Sequence, residues 1–184
     1  MESDLRAAQV ELATVAGEPV AVPVTLDPES LAFDPHSGWD FRPNLSGSGE
    51  VFIQSDFGNP LLLLEGDMWD GEGYPTDLGL VAITFTIASP LPLWGVSLAK
   101  FGYPNEEAFG DWMPTGFGGI GFYEILNSDW PEQIVTANRE RFPNTPDDLG
   151  LRHFMVACKE KTLEVLAGDF SISRVLDGSW LGAR

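Results

Sequence analysis

Apolar residues first recur at helical spacing, where Leu5, Ala8, Leu12 and Val15 run as a stripe through Ser3 to Ala16 and Gly17 can close the C-terminus. The pattern predicts a helix that packs on the body through that stripe. From Glu18 to Leu26 a Val-rich run is punctuated by Pro19 and Pro23. Proline cannot donate to an interior ladder, so an extended edge segment is expected. Glu50 to Ser55 and Leu61 to Gly66 flank the turn-rich Asp56-Phe57-Gly58-Asn59-Pro60 and predict a β-hairpin. In Leu80 to Ala88, Val81, Ile83, Phe85 and Ile87 alternate with Ala82, Thr84 and Thr86, the period of a half-buried strand. Leu93 to Ala99 and Ile120 to Leu126 predict two more strands, the second after the Gly-rich turn Gly116 to Gly119.

Asp129-Trp130-Pro131-Glu132 predicts a helix start, with Asp129 as N-cap, proline in the first turn and Glu132 three residues on. The helix is expected to reach about Arg141, with Trp130, Ile134 and Ala137 as its buried stripe, before Phe142-Pro143-Asn144 stops it. Leu149 to Val175 reads as strands, with Lys159-Glu160-Lys161 at a hairpin tip. The expected architecture is one α+β domain over residues 1–184, built on a mainly antiparallel, curved sheet or partial barrel. Its segments are an N-terminal helix over 1–17, a mainly β stretch over 18–126, a helical region over 127–143 and a β-hairpin region over 149–176.

Composition agrees with a packed β-rich domain: 43% of the residues are apolar, and six Trp and twelve Phe supply large core pieces beside twenty Gly and fourteen Pro. The single Cys158 cannot form an internal disulfide, and Met1-Glu2-Ser3-Asp4 does not open a signal peptide, so a cytoplasmic location is expected. Apolar runs such as Leu61 to Leu64 fall short of the roughly 20 residues that span a bilayer. Charge changes the picture most. The formal net charge is −18, and residues 1–99 hold 15 acidic residues against only Arg6 and Arg42. Such a field repels phosphate backbones and anionic lipid, so neither nucleic acid nor a membrane surface is an expected partner.

Phe101-Gly102-Tyr103-Pro104-Asn105-Glu106-Glu107-Ala108, Gly121-Phe122-Tyr123-Glu124-Ile125-Leu126-Asn127-Ser128-Asp129-Trp130, and Arg152-His153-Phe154 followed by Thr162-Leu163-Glu164 lie in the second half. In these motifs the chain resembles an uncharacterised group of bacterial proteins over about residues 100–170. Those relatives carry a His-Asp step where this chain has Lys159-Glu160. The resemblance implies a shared fold and assigns no chemistry.

The densest polar feature is Glu65-Gly66-Asp67-Met68-Trp69-Asp70-Gly71-Glu72-Gly73, extended by Asp77. Its spacing does not fit an EF-hand loop, and it reads as a solvated connection between strands rather than a metal site. Trp69 among Asp67, Asp70 and Glu72 has the composition of a contact surface, an aromatic anchor ringed by charge. Glu124 interrupts an apolar strand and, if it points inward, needs a partner such as Arg152 or Arg139 or keeps its proton. With only His36 and His153 in the chain, no zinc spacing arises. His153 reads as a hydrogen-bonded structural residue with an acid/base role as the alternative. Cys158, in an apolar run, reads as core. Gly116 to Gly121 leads into a strand rather than a helix, unlike a phosphate-binding loop, and is expected to form a rim beside Trp112 and Phe117.

Two functions are compatible with these residues. The first is an acidic protein-binding module of immunity or inhibitor type for a basic protein partner, using Trp69, Asp67, Asp70, Glu72, Tyr103, Trp112 and Phe117. The second is a cofactor-free isomerase, cyclase or ligand-binding protein for a small molecule. Its pocket would be lined by Trp94, Tyr103, Trp112, Phe117 and Tyr123, with Glu124 and His153 as its polar groups. Neither reading requires a metal or cofactor. A pocket in which Glu124 and His153 converge would distinguish the second from the first.

Overall fold

The computed structural model describes residues 2–24, 40–43, 50–54, 59–69, 75–86, 98–110 and 112–175. Among them are two helices, α1 (Glu2–Ala16) and α2 (Trp130–Arg141). The strands are β1 (Val20–Pro23), β2 (Asp40–Pro43), β3 (Val51–Ile53), β4 (Leu61–Trp69), β5 (Pro75–Thr86), β6 (Leu98–Gly102), β7 (Gly121–Leu126), β8 (Arg152–Ala157), β9 (Thr162–Ala167) and β10 (Asp169–Val175). This is the α+β class read from the sequence. Two antiparallel sheets form, in the orders β1-β7-β8-β9-β6 and β10-β5-β4-β2 with β3 also on β4, and neither closes into a barrel. The chain divides into two compact units, residues 1–24 with 87–169 and residues 25–86 with 170–184.

In the second unit the predicted hairpin is present: β3 pairs antiparallel with β4, Val51 opposite Leu63. Leu62, Leu64, Val81, Ile83 and Phe85 are all buried, because Leu62 faces Ile83 and Leu64 faces Val81 across the β4·β5 ladder. The carboxylate-rich stretch differs from its expected form as a loop. Glu65 to Trp69 continue β4, and β5 begins at Pro75, so only 70–74 connects them. The ladder shifts register between Asp67 and Trp69, a bulge that bends the end of the hairpin.

The first unit is built on the other sheet. β1 is an edge strand, as its prolines require, and pairs with β7 from Val20 opposite Leu126 to Pro23 opposite Tyr123. The Ala21 N–H donates to the Thr115 carbonyl at 2.7 Å. There the following Gly116 has φ +86°, and a Cβ would lie 2.6 Å from the Ala21 carbonyl oxygen. Only glycine fits that close approach.

Helix α1 forms where the sequence places it, but its inner face differs from the expected stripe. Leu12 and Val15 are 71% and 83% exposed and Ala8 is exposed too, while Ala13 is buried and Val10 partly so. The segment carries two apolar stripes, and the one with the small alanine faces inward. Asn127, in the left-handed region at φ 54°, donates from its amide to the carbonyls of Thr14 at 3.3 Å and Glu18 at 3.2 Å. Those bonds satisfy acceptors at the end of α1.

Helix α2 also has the predicted span. Its buried residue is Val135, with Trp130 and Ile134 partly buried and Ala137 exposed, so the inner stripe is rotated from the expected one. Asp129 is the N-cap residue, as expected, but its side chain makes no capping bond. Its backbone is already helical at φ −79°, ψ −11°, and its carboxylate accepts from Gln133 Nε2 at 2.8 Å. The side-chain acceptor at the helix start is Ser128, whose Oγ takes the Trp130 N–H at 3.3 Å.

Candidate functional site

Alternation along β7, β8 and β9 decides which polar side chains can meet. Residues directly opposite in a ladder share a face, and neighbours along a strand do not. Glu124 lies opposite Phe154, and His153 lies opposite Leu166. Glu124, Arg152, Phe154 and Val156 therefore occupy one face, while Tyr123, His153, Met155 and Glu164 occupy the other. Glu124 and His153 do not converge, and no single substrate atom can lie between them.

On its own face Glu124 has the partner expected of it. Arg152 donates to both carboxylate oxygens, Nε to Oε1 at 2.8 Å and Nη2 to Oε2 at 2.6 Å, and its Nη1 reaches Asp169 at 3.4 Å. The bidentate bond to Glu124 raises the Arg152 pKa further above its ordinary value, with burial opposing. The guanidinium also lies 4.8 Å from the centre of the Phe154 ring. Every polar group of this pair is engaged, which makes it a structural clamp between neighbouring strands.

The opposite face holds a connected polar row. Lys100 stands directly across the β6·β9 ladder from Glu164, with Nζ 3.9 Å from Oε2. The same Glu164 oxygen lies 3.1 Å from His153 Nε2, and His153 Nδ1 lies 2.8 Å from Ser128 Oγ. Proton positions follow from donor counting. An ionised carboxylate can only accept, so Nε2 carries the proton of the neutral ring and Nδ1 is an acceptor. Ser128 Oγ already accepts the Trp130 N–H, and with the neutral ring in that tautomer its hydroxyl is the donor to Nδ1. Trp130 closes the row, edge-on to His153 at 5.1 Å between ring centres and with Lys100 Nζ 4.0 Å from its own ring centre. The bond from His153 holds the Glu164 carboxyl below the usual carboxylate range, and Lys100 adds to this while burial opposes it.

His153 is buried, and Ser128 is half-buried at the entrance to α2. His153 and Trp130 stand out in the sequence, whereas nothing in it groups Ser128, Lys100 and Glu164 with them. Glu164 could have been found by the signal that singled out Glu124, a charged residue interrupting an apolar strand. Ser128 had no such signal.

The aromatic residues of the candidate pocket separate into two sets. Tyr123 is buried, its hydroxyl donating to the Gly119 carbonyl at 3.1 Å and accepting the Gly118 N–H at 3.3 Å. Phe117 packs on Tyr123 at 5.2 Å and on Phe109 at 4.9 Å between ring centres. With Met113, these residues cover the cluster of Ala21, Tyr123, Ile125, Met155 and Ala157. Tyr103 and Trp112, by contrast, are 82% and 64% exposed and stand in solvent. Trp94, Asp70 and Glu72 lie outside the described residues, and Asp67 and Trp69 are placed by their backbone alone, at the bulged end of β4.

A shallow trough of about 330 Å³ runs along the outer side of α2, lined by Asp129, Glu132, Gln133, Thr136, Ala137 and Glu140. Among the described residues no three His, Cys, Asp or Glu side chains are grouped to hold a metal ion, and no helix is long and apolar enough to cross a membrane. No known protein family, curated protein or solved structure matches the chain.

Proposed function

We propose that the protein acts by binding a basic protein partner, with its acidic surface steering the encounter and Tyr103 and Trp112 anchoring the complex. One observation carries this reading: the two most exposed aromatic side chains among the described residues of the first unit project from a segment that is otherwise held in place. Thr162 Oγ1 donates to the Pro104 carbonyl at 2.7 Å, and the Glu106 N–H donates to the Lys159 carbonyl at 3.0 Å. Phe109, on the same segment, is fixed against Phe117. Anchors on a pre-ordered backbone lose little conformational entropy on binding, and aromatic side chains are frequent hot spots.

The net charge of −18 has the sign the reading needs, although Lys159 and Lys161 adjoin the Tyr103 segment. Glu107 is exposed between the two aromatics, and Asp129, Glu132 and Glu140 line the open trough on α2. A negative field of this kind accelerates association with a cationic surface and rejects anionic competitors. Against the small-molecule alternative stand the opposite orientations of Glu124 and His153 and the solvent exposure of Tyr103 and Trp112.

The test is comparative capture by the wild-type protein and by the variant carrying Tyr103→Ala and Trp112→Ala. A specific partner retained by the wild type should be basic, elute as salt rises from 50 to about 500 mM, and be lost from the variant while the variant's melting temperature is unchanged. Equal retention by both proteins, or elution independent of salt, would refute the reading.

A further inference from the structure

The row Ser128–His153–Glu164 has a connectivity that the binding reading leaves unused. A hydroxyl whose proton points at an imidazole nitrogen, with the other ring nitrogen bonded to a carboxylate, is the arrangement that activates a serine nucleophile. Here the distances are 2.8 Å from Oγ to Nδ1 and 3.1 Å from Nε2 to Glu164 Oε2, both within hydrogen-bond reach. Each link is fixed independently. The β8·β9 register places Glu164 diagonally across from His153, Lys100 stands 3.9 Å from the same carboxylate oxygen that His153 contacts, and the Trp130 N–H donates to the hydroxyl. Ser128 is the half-buried, reachable end of the row, and it sits at the positive end of the 12-residue helix α2.

We propose that Ser128 is a reactive nucleophile, with His153 as its general base and Glu164 orienting the ring, competent for acyl transfer from small neutral or cationic esters. The Oγ–C bond forms as the Oγ proton passes to Nδ1. Collapse of the tetrahedral intermediate breaks the ester C–O bond, and the leaving alkoxide takes that proton from Nδ1. Water then attacks the acyl-serine, its proton passing to Nδ1 and on to Ser128 Oγ as the carboxylic acid departs. Glu164 stays ionised throughout, stabilising the transient imidazolium. Asp129 beside the nucleophile, Glu132 one turn on and the net charge of −18 set the charge preference, because anionic esters are repelled.

The experiment uses the full chain, an uncharged fluorophosphonate probe and p-nitrophenyl acetate. The wild-type protein should gain one phosphonyl group, mapped by peptide mass spectrometry to Ser128, and should release p-nitrophenol at a rate that prior labelling abolishes. Ser128→Ala should take up no label. His153→Gln should slow labelling about 100-fold or more, and Glu164→Gln should slow it while leaving the labelled position unchanged. Because the wild type decides the matter, misfolding of a variant does not obscure the result. No label at Ser128 in the wild type, a label mapped elsewhere, or labelling as fast in a folded His153→Gln protein would overturn the proposal.

Discussion

Replacing Gly121 with alanine tests whether the ring of Tyr123 is fixed where the structure places it. The backbone at Gly121 is outside the left-handed region, so alanine meets no conformational penalty there. Space is the obstacle. A Cβ would lie 2.8 Å from the Tyr123 Oη and 2.9 Å from Cε2 and Cζ, closer than packed carbon atoms approach. The ring could escape only by leaving Phe117 and by breaking the bonds of its hydroxyl to Gly118 and Gly119. Overpacking costs about 1–3 kcal/mol, and each lost hydrogen bond about 1 kcal/mol. The reduced entropy of the unfolded chain offsets about 0.4–1 kcal/mol. The net expectation is a loss of about 2–4.5 kcal/mol, which for a protein of this size lowers the melting temperature by about 4–18 °C. Thermal unfolding followed by circular dichroism reads the effect, and the same substitution in a Tyr123→Leu background should cost at least 1 kcal/mol less. Gly121→Ala with wild-type or higher stability would show that the ring is not held over the glycine.

Two further outcomes are expected. Glu164 is held below its ordinary value in the folded protein, so its stabilising contribution is complete above the unfolded carboxyl's value, about 4.3, and is lost as pH falls through the lower folded value. The melting-temperature gap between wild type and Glu164→Gln should therefore be widest near pH 7 and shrink toward pH 3; a gap independent of pH would contradict the assigned bond to His153. On α1, Leu12→Ser and Val15→Ser should each change stability by no more than about 0.5 kcal/mol, whereas Ala13→Asp should cost about 2 kcal/mol or more. The reverse order in urea unfolding would show that the helix packs through the stripe the spacing suggested.

Local signals in the sequence were read more accurately than facing relations. Proline placement identified β1 as an edge strand, period-2 alternation identified β5, and Pro131 located the start of α2, because each of these is set by the backbone chemistry of the residues concerned. The inner face of α1 is not legible in the sequence, since two apolar stripes compete there and only the body of the fold selects between them. That Glu124 pairs with a cation such as Arg152 is legible, since a carboxylate partly withdrawn from water on an apolar strand needs a partner or a proton. The row through Ser128 is not. Its members come from β6, α2, β8 and β9, and their meeting depends on ladder register, which a period-2 pattern constrains only to within a two-residue slip.

The strand orders also have a consequence in time. β1 lies at residues 20–23 yet its partner β7 lies at 121–126, and β10, after residue 168, pairs with β5, which ends at residue 86. During synthesis the β4·β5 hairpin can zip as soon as it emerges, but each sheet must wait for a strand made about a hundred residues later. Pairings of that separation carry a large loop-closure cost and place such a chain among the slower folders, in milliseconds to seconds rather than microseconds. Until residue 126 has been made, the apolar edge of β1 has no β7 to cover it, which makes that interval the one in which a nascent chain is most exposed to misassociation.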